Sequence, residues 1–140
     1  METLRIALIS PAQTLDLRQQ VLWPHKPVSF VQLPEDDTGT HFGAFLSEEL
    51  VSVMSVFLKG EEAQFRKFAT AQAMQGRGIG SQLLQHLLTH ASSLGLKRIW
   101  CHARQEKAGF YRKFGFKEKG TPFFKEGVPY VVMDLYLPGV

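Results

Sequence analysis

Gln75-Gly76-Arg77-Gly78-Ile79-Gly80 is the segment of the chain best equipped to do chemistry. Its three glycines alternate, and a helix-patterned run begins before the last of them. Ile79, Leu83, Leu84, Leu87, Leu88, Ala91 and Leu94 fall on one helical face. A helix N-terminus carries backbone N–H groups without intrahelical partners and a partial positive charge, so it attracts a phosphate. Glycines remove the β-carbons that would keep a phosphate away from those N–H groups. Arg77 adds a charged donor. The segment reads as a diphosphate cradle built mostly from main chain, although glycine-rich turns also open helices for purely structural reasons.

Spacing narrows the choice. A nucleotide P-loop needs Lys-Ser or Lys-Thr after its last glycine, and here Ser81-Gln82 follow Gly80. A nucleotide-binding protein is disfavoured on that ground. The dinucleotide pattern GxGxxG fails because the third glycine comes one residue early. What remains is (Q/R)-x-x-G-x-(G/A), filled by Gln75, Gly78 and Gly80. Further on, after enough chain for a helix, a strand and the start of another helix, stands Ala108-Gly109-Phe110-Tyr111-Arg112-Lys113-Phe114-Gly115-Phe116. The first segment resembles the coenzyme A signature of the GNAT superfamily of N-acetyltransferases. The second is similar to that family's A-x-x-F-Y-x-K-x-G-F segment, one residue shorter between the alanine and the Phe-Tyr pair. The resemblance, to a small bacterial-type member, covers about residues 45–136.

This resemblance implies an α/β (α+β) GNAT fold in a single domain, residues 1–140. The family's central sheet is mixed and mostly antiparallel, with about six to seven strands flanked by helices. A splayed V opens between the strand before the glycine loop and the next strand. The implied activity is acetyl-CoA-dependent N-acetyl transfer to a primary amine of a small molecule or peptide, by direct attack of the amine on the thioester. By resemblance, the main chain of Phe68, Ala69 and Thr70 holds the pantetheine arm, and one backbone N–H polarises the acetyl carbonyl. Gln75, Gly76, Arg77, Gly78, Ile79, Gly80 and Ser81 take the diphosphate, and Phe110 joins the cofactor-binding set. A homodimer is allowed, since GNAT proteins often dimerise.

Tyr111 aligns with the family's general acid, which protonates the departing thiolate. A thiol has a pKa of about 8.5 and a tyrosine about 10, so full transfer to a free thiolate is uphill by roughly 2 kcal/mol. Tyr111 is therefore expected to act by a hydrogen bond that strengthens as the thiolate forms. The alternative is a core tyrosine among Phe110, Phe114 and Phe116. A general base is harder to find. An alkylamine of pKa about 10.4 is mostly protonated at neutral pH, a deficit of roughly 4 kcal/mol. Many relatives place a glutamate on the central strand, but residues 64–68 hold no carboxylate. Glu62 and His102 are weak candidates, with Glu61 and His41 behind them. An acceptor of low pKa needs no strong base. A GNAT-fold acyl-CoA-binding or regulatory module without turnover is the alternative reading.

The segment after the first strand shapes the acceptor pocket in the family, which makes Arg18, Trp23 and His25 candidate substrate residues. An arginine there is more often solvated or ion-paired at the surface. Phe124-x-x-Gly127-Val128-Pro129-Tyr130-x-x-Met133 resembles a subgroup that often carries histidine where Tyr130 stands.

Composition sets the remaining bounds. At 140 residues, 44% hydrophobic and 21% charged, the chain matches an ordinary globular protein with an adequate core. A net charge of +3 suits a polyanionic small ligand, while no basic run interleaved with aromatics suggests nucleic acid. Apolar runs are too short to span a membrane, and Met1-Glu2-Thr3 begins no signal peptide. Cys101 is the single cysteine, so a reducing cytoplasm is the expected location. No metal is expected. His86 and His90 stand four apart without the H-E-x-x-H glutamate, and Glu35-Asp36-Asp37 reads as a solvated loop.

These residues need elements to hold them. Periodicity and turn residues predict strands over 4–9, 41–46, 50–58, 64–70 and 98–103, with 41–58 as a hairpin. Helices are expected over 15–22, from 79 to a glycine cap at Gly95, and over 106–114. Residues 28–33 read as extended, 116–119 as a strand, 120–127 as a loop and 130–137 as the last strand. Alternation places Cys101, inert and buried, opposite His102.

Overall fold

Ser10-Pro11 starts a helix as well as ending a strand. The Ser10 N–H donates to Gln13 Oε1 at 2.8 Å, and the Ser10 hydroxyl accepts from the Gln13 N–H at 3.4 Å. This capping box, with proline at the first helical position, opens α1 (Pro11–Leu17) four residues before the apolar spacing predicts it. The computed structural model describes residues 3–138. Met1 and Glu2, on which the expectation about a leader rests, lie outside the described residues.

Seven strands follow the order β1-β2-β3-β4-β5-β7-β6. They are β1 (Leu4–Ile9), β2 (Thr40–Leu46), β3 (Glu49–Lys59), β4 (Glu62–Thr70), β5 (Arg98–Arg104), β6 (Lys117–Lys125) and β7 (Val128–Tyr136). β1 pairs antiparallel with β2, β2 with β3, β5 with β7, and β6 with β7, while β4 and β5 are parallel. The sheet is therefore mixed and open, with flanking helices, as the sequence implied. The described β4–β5 ladder joins Glu62, Ala63 and Gln64 to Arg98, Ile99 and Trp100.

The chain divides into two compact units. One takes residues 3–57 with Phe65–His90, and the other takes Leu58–Gln64 with residues 91–138. In the first, Ala44, Leu46, Val51 and Ile79 form a buried cluster with Leu4, Ile6 and Met74 against it. Ile79 is the first residue of α3 (Ile79–Ser93), so the helix that follows the glycines is anchored at its start. Leu17, Val53 and Ala69 form a second cluster, with Ile9, Val21, Leu22, Leu50 and Ala71 against it. Leu83, Leu84 and Leu87 are buried along α3, whereas His86 and His90 are half-buried, each edge-on to Phe42 at 5.1 and 5.2 Å. Gly95, at φ 72°, ends this run, with the Leu96 N–H donating to the Ala91 carbonyl at 3.1 Å.

Three expectations need correction. The helix expected over 15–22 is α1 followed by a π-helical turn, Arg18–Leu22. Residues 28–33 are not extended: Val28–Val31 is α2, entered through Pro27, whose carbonyl accepts the Phe30 N–H at 2.9 Å. Pro27 sets the helical entry and outweighs the β-branched residues that suggested a strand. In the second unit, residues 120–127 are not a loop, because β6 runs on to Lys125 and turns into β7 at Glu126 and Gly127. The ladder shifts register between Lys119 and Phe123, where Gly120 has φ 73°. Gly120 and Pro122 read as a loop, but an irregular stretch of edge strand accepts both.

Candidate active site

The glycine segment sits between two fixed points of the first unit. On one side β4 ends at Thr70, and the Ala71 N–H donates to the Val51 carbonyl at 2.8 Å. On the other side Ile79 is buried. Gly76 and Gly78 both have φ 79°, and a β-carbon on either would meet no atom within 4 Å. Glycine is needed there for its left-handed backbone, and the space beside each is open. Gly80 differs, since its β-carbon would lie 3.4 Å from Phe68 Cζ and 3.5 Å from Thr70 Oγ1, ordinary contacts. A methyl there would meet no clash. Open space beside two left-handed glycines, at a helix N-terminus, fits a diphosphate.

Gln75 Nε2 donates to the Thr70 carbonyl at 2.9 Å, and Arg77 Nη1 lies 2.9 Å from Met74 Sδ. On β4, Lys67 has φ 55°, a conformation rare for a non-glycine residue in a strand. It interrupts the regular strand backbone just before Phe68, Ala69 and Thr70, the residues expected to hold a pantetheine arm.

Tyr111 belongs to the second unit, on α4 (Ala108–Arg112). It is buried, with its ring edge-on to Phe110 at 5.2 Å and to Phe116 at 5.9 Å. The turn after it closes through the Phe116 N–H and the Tyr111 carbonyl, with Gly115 at φ 95°. Burial pushes the Tyr111 phenol far above its ordinary value, and the nearby Cys101 adds to the push. A phenol so placed stays protonated through the neutral range and keeps its O–H as a hydrogen-bond donor. Cys101 is buried on β5, and burial raises its thiol strongly too, which makes it inert.

The base candidates are engaged elsewhere. Glu62 Oε1 accepts from Arg98 Nη1 at 3.0 Å, and Arg98 Nε donates to buried Asp134 at 2.9 Å. Burial alone would lower the Arg98 pKa, but Asp134 and Glu62 hold it raised. Glu61 pairs with Lys97 at 3.0 Å. His102 is exposed on the face of β5 opposite Cys101, between Trp100 at 5.5 Å and Phe123 at 5.0 Å. His41 is buried with both nitrogens in hydrogen-bond reach, Nδ1 of Ser55 Oγ at 2.7 Å and Nε2 of the Asp36 carbonyl at 2.8 Å.

On the expected acceptor side, Arg18 is neither a surface residue nor an open substrate clamp. It is fully buried, and Nη1 and Nη2 donate to Asp36 Oδ2 and Oδ1 at 2.8 and 2.9 Å. Nη1 also reaches the Val31 carbonyl at 3.0 Å and Nη2 reaches Ser55 Oγ at 2.8 Å. The expectation of three solvated carboxylates fails at Asp36, which is 7% exposed, because Arg18 neutralises it and the Leu33 N–H donates to it at 3.0 Å. Trp23 is buried with its ring edge-on to Phe30 at 5.2 Å, and His25 is exposed. Sequence reasoning missed Asp36, Ser52 and Ser55. The signal for the serines was present: they are the two small polar residues inside the otherwise apolar run LVSVMSVFL, and both are fully buried.

Comparison with known proteins agrees with this geometry. Residues 25–137 match the model of the acetyltransferase (GNAT) domain. A Bacillus subtilis protein named as the uncharacterized N-acetyltransferase YitI is 28% identical over 134 residues, covering 89% of this chain and 90% of that protein. A Lactobacillus plantarum protein superposes with a TM-score of 0.85 at 22% identity, over 97% of this chain and 99% of that one. A Bacillus subtilis acetyltransferase solved in complex with CoA superposes with a TM-score of 0.77 at 21% identity, over 97% and 100%. With the family model spanning most of its length and the fold shared throughout, the chain belongs to the GNAT acetyltransferases, a family of acyltransferases.

Proposed function

We propose that the protein is an acetyl-CoA-dependent N-acetyltransferase that acts on a primary amine of a small molecule or peptide. The observation that carries this reading is the pair Gly76 and Gly78, both left-handed with open space beside them, directly before α3. The amides of residues 76–81 take the diphosphate of the donor, and the main chain of Phe68, Ala69 and Thr70 holds the pantetheine arm. Acetyl-CoA supplies the activated acyl group; the Bacillus subtilis neighbour solved with CoA supports that choice. Tyr111 donates a hydrogen bond to the departing sulfur. With Glu62 held by Arg98, the acceptor amine reaches the site neutral or loses its proton to water, which favours amines of low pKa. We place this activity in the cytoplasm, in keeping with a lone buried Cys101.

The engagement of Glu62 also favours a second reading, an acyl-CoA-binding module without turnover. Calorimetric titration with acetyl-CoA beside ATP and NAD, followed by thiol release over a panel of amines, separates the two. Selective acetyl-CoA binding with thiol release on some amine supports the enzyme. Binding without release on any amine supports the module, and no acetyl-CoA binding by the folded protein overturns both.

A further inference from the structure

Next to the glycine segment, the first unit holds a chain of polar groups that starts at Ser52, a residue with no role in the reading above. Ser52, on β3, is fully buried. Its hydroxyl donates to the Ala69 carbonyl at 3.2 Å and lies 2.8 Å from Thr70 Oγ1. One hydroxyl has one proton, so with Ser52 donating to Ala69, Thr70 must donate to Ser52. The Thr70 carbonyl in turn accepts from Gln75 Nε2 at 2.9 Å. The main chain next to each end is also tied, since the Ala71 N–H donates to the Val51 carbonyl.

Thr70 Oγ1 also lies near the start of α3, 3.5 Å from where a β-carbon on Gly80 would stand. Ser52 is bonded to the Thr70 hydroxyl, Thr70 stands next to Gly80, and Gln75 ties the entry to the loop to the same residue. A buried hydroxyl in an apolar strand costs stability unless its hydrogen bonds are made. Here they are made to the junction between β4 and the loop.

We propose that Ser52 and Thr70, with Gln75 at the entry to the loop, are positioning residues for the donor diphosphate, a relay anchored at buried Ser52 that holds the amides of residues 76–81 pointed at one spot. The inference rests on the acetyl-CoA reading. Convergent amides are useful only while the turn keeps its shape, because a diphosphate contact depends on several short hydrogen bonds at once. Ser52 and Gln75 bond the carbonyls of Ala69 and Thr70 and leave their N–H groups to the pantetheine arm, so the larger effect falls on the diphosphate.

The test is an NMR titration of isotope-labelled protein with acetyl-CoA and, separately, with S-acetylpantetheine, which lacks the diphosphate. Ser52→Ala, Thr70→Val and Gln75→Met are expected to raise the Kd for acetyl-CoA about ten-fold, or about 1.4 kcal/mol. The rise for S-acetylpantetheine should be several-fold smaller. Thr70→Ser keeps the hydroxyl and should restore most of the lost affinity. Equal losses on both donors, or none on either, overturn the inference. If Ser52→Ala fails to fold, Thr70→Val against Thr70→Ser decides on its own. A wild-type protein that binds neither donor sinks the acetyl-CoA reading itself, an outcome distinct from variants that match a binding wild type.

Discussion

Arg18 and Asp36 meet as a two-bond fork in the interior, Nη1 to Oδ2 at 2.8 Å and Nη2 to Oδ1 at 2.9 Å, with the guanidinium fully buried. Ser55 receives a further guanidinium bond and links the fork to His41. Residues from the π-helical turn after α1, the 3-10 turn Asp36–Thr38, β2 and β3 are thereby joined around one charge pair. This ties down the stretch expected to shape the acceptor pocket.

Removing one partner leaves the other charge buried and alone. Asp36→Ala is expected to destabilise the protein by about 3–5 kcal/mol in urea unfolding. Arg18→Met combined with Asp36→Leu should recover most of that loss, since an apolar pair of similar volume needs no partner. A cost below about 1 kcal/mol for Asp36→Ala would show that the pair is solvated in solution.

The same pair sets an acid limb. Burial alone would raise the Asp36 carboxyl, but hydrogen bonds from Arg18 and the Leu33 N–H, with the attraction of Arg18 and His41, leave it below its ordinary 3.8. The folded protein therefore binds this proton more weakly than the unfolded chain. Its contribution is complete above the unfolded value and disappears as pH falls through the lowered folded one. The stability gap between wild type and Asp36→Asn should stay level down to about pH 4 and narrow below it. A gap that keeps its size into stronger acid contradicts this assignment.

The glycines should separate by mechanism. Gly78→Ala forces a side chain into a left-handed backbone, costing about 1–2 kcal/mol, and places a methyl in the open space of the cradle. Acetyl-CoA affinity should fall more than ten-fold, about 1.4 kcal/mol, by calorimetry. Gly80→Ala meets only ordinary contacts and should change the melting temperature and affinity little. Equal effects at both positions would refute the distinction.

Tyr111→Phe is expected to slow acetyl transfer about 10²-fold while acetyl-CoA still binds. Because burial pushes the hydroxyl up, Tyr111 remains a donor across the neutral and mildly alkaline range. Any alkaline fall in the rate near neutrality must come from another group. A variant with the wild-type rate would return Tyr111 to a packing role beside Phe110 and Phe116.

Glu62→Gln tests the base directly. The carboxylate is about half exposed and paired with Arg98, so stability should change by about 1 kcal/mol or less. The rate should change no more than a few-fold if Glu62 is not the base. A drop of about 10²-fold or more would restore it to that role.

What could be read from the sequence was local. Gly76, Gly78 and the face of α3 announce themselves within a few residues, since a left-handed turn and a 3.6-residue period are short-range constraints. The helix and turn that carry Tyr111 were legible through a motif of adjacent residues. The Arg18–Asp36 fork was not, because its partners are eighteen positions apart and either residue alone looks solvated. Ser52 gave only half a signal: a serine in an apolar run shows that something must be bonded there, but not what. β6 was misread because Gly120 and Pro122 mark turns far more often than strands.

That same stretch of β6 has a consequence for behaviour at high concentration. As the last strand in the sheet order, β6 offers its outer main-chain groups to any other extended chain. Pro122 lacks an N–H to offer, the register breaks between Lys119 and Phe123, and Lys117, Glu118, Lys119 and Lys125 make the strand strongly charged. Two such borders cannot zip together over their full length without misalignment. The irregularity that disguised the strand in the sequence is thus a guard against aggregation, and straightening it with Pro122→Val would place the already exposed Phe124 on a regular edge.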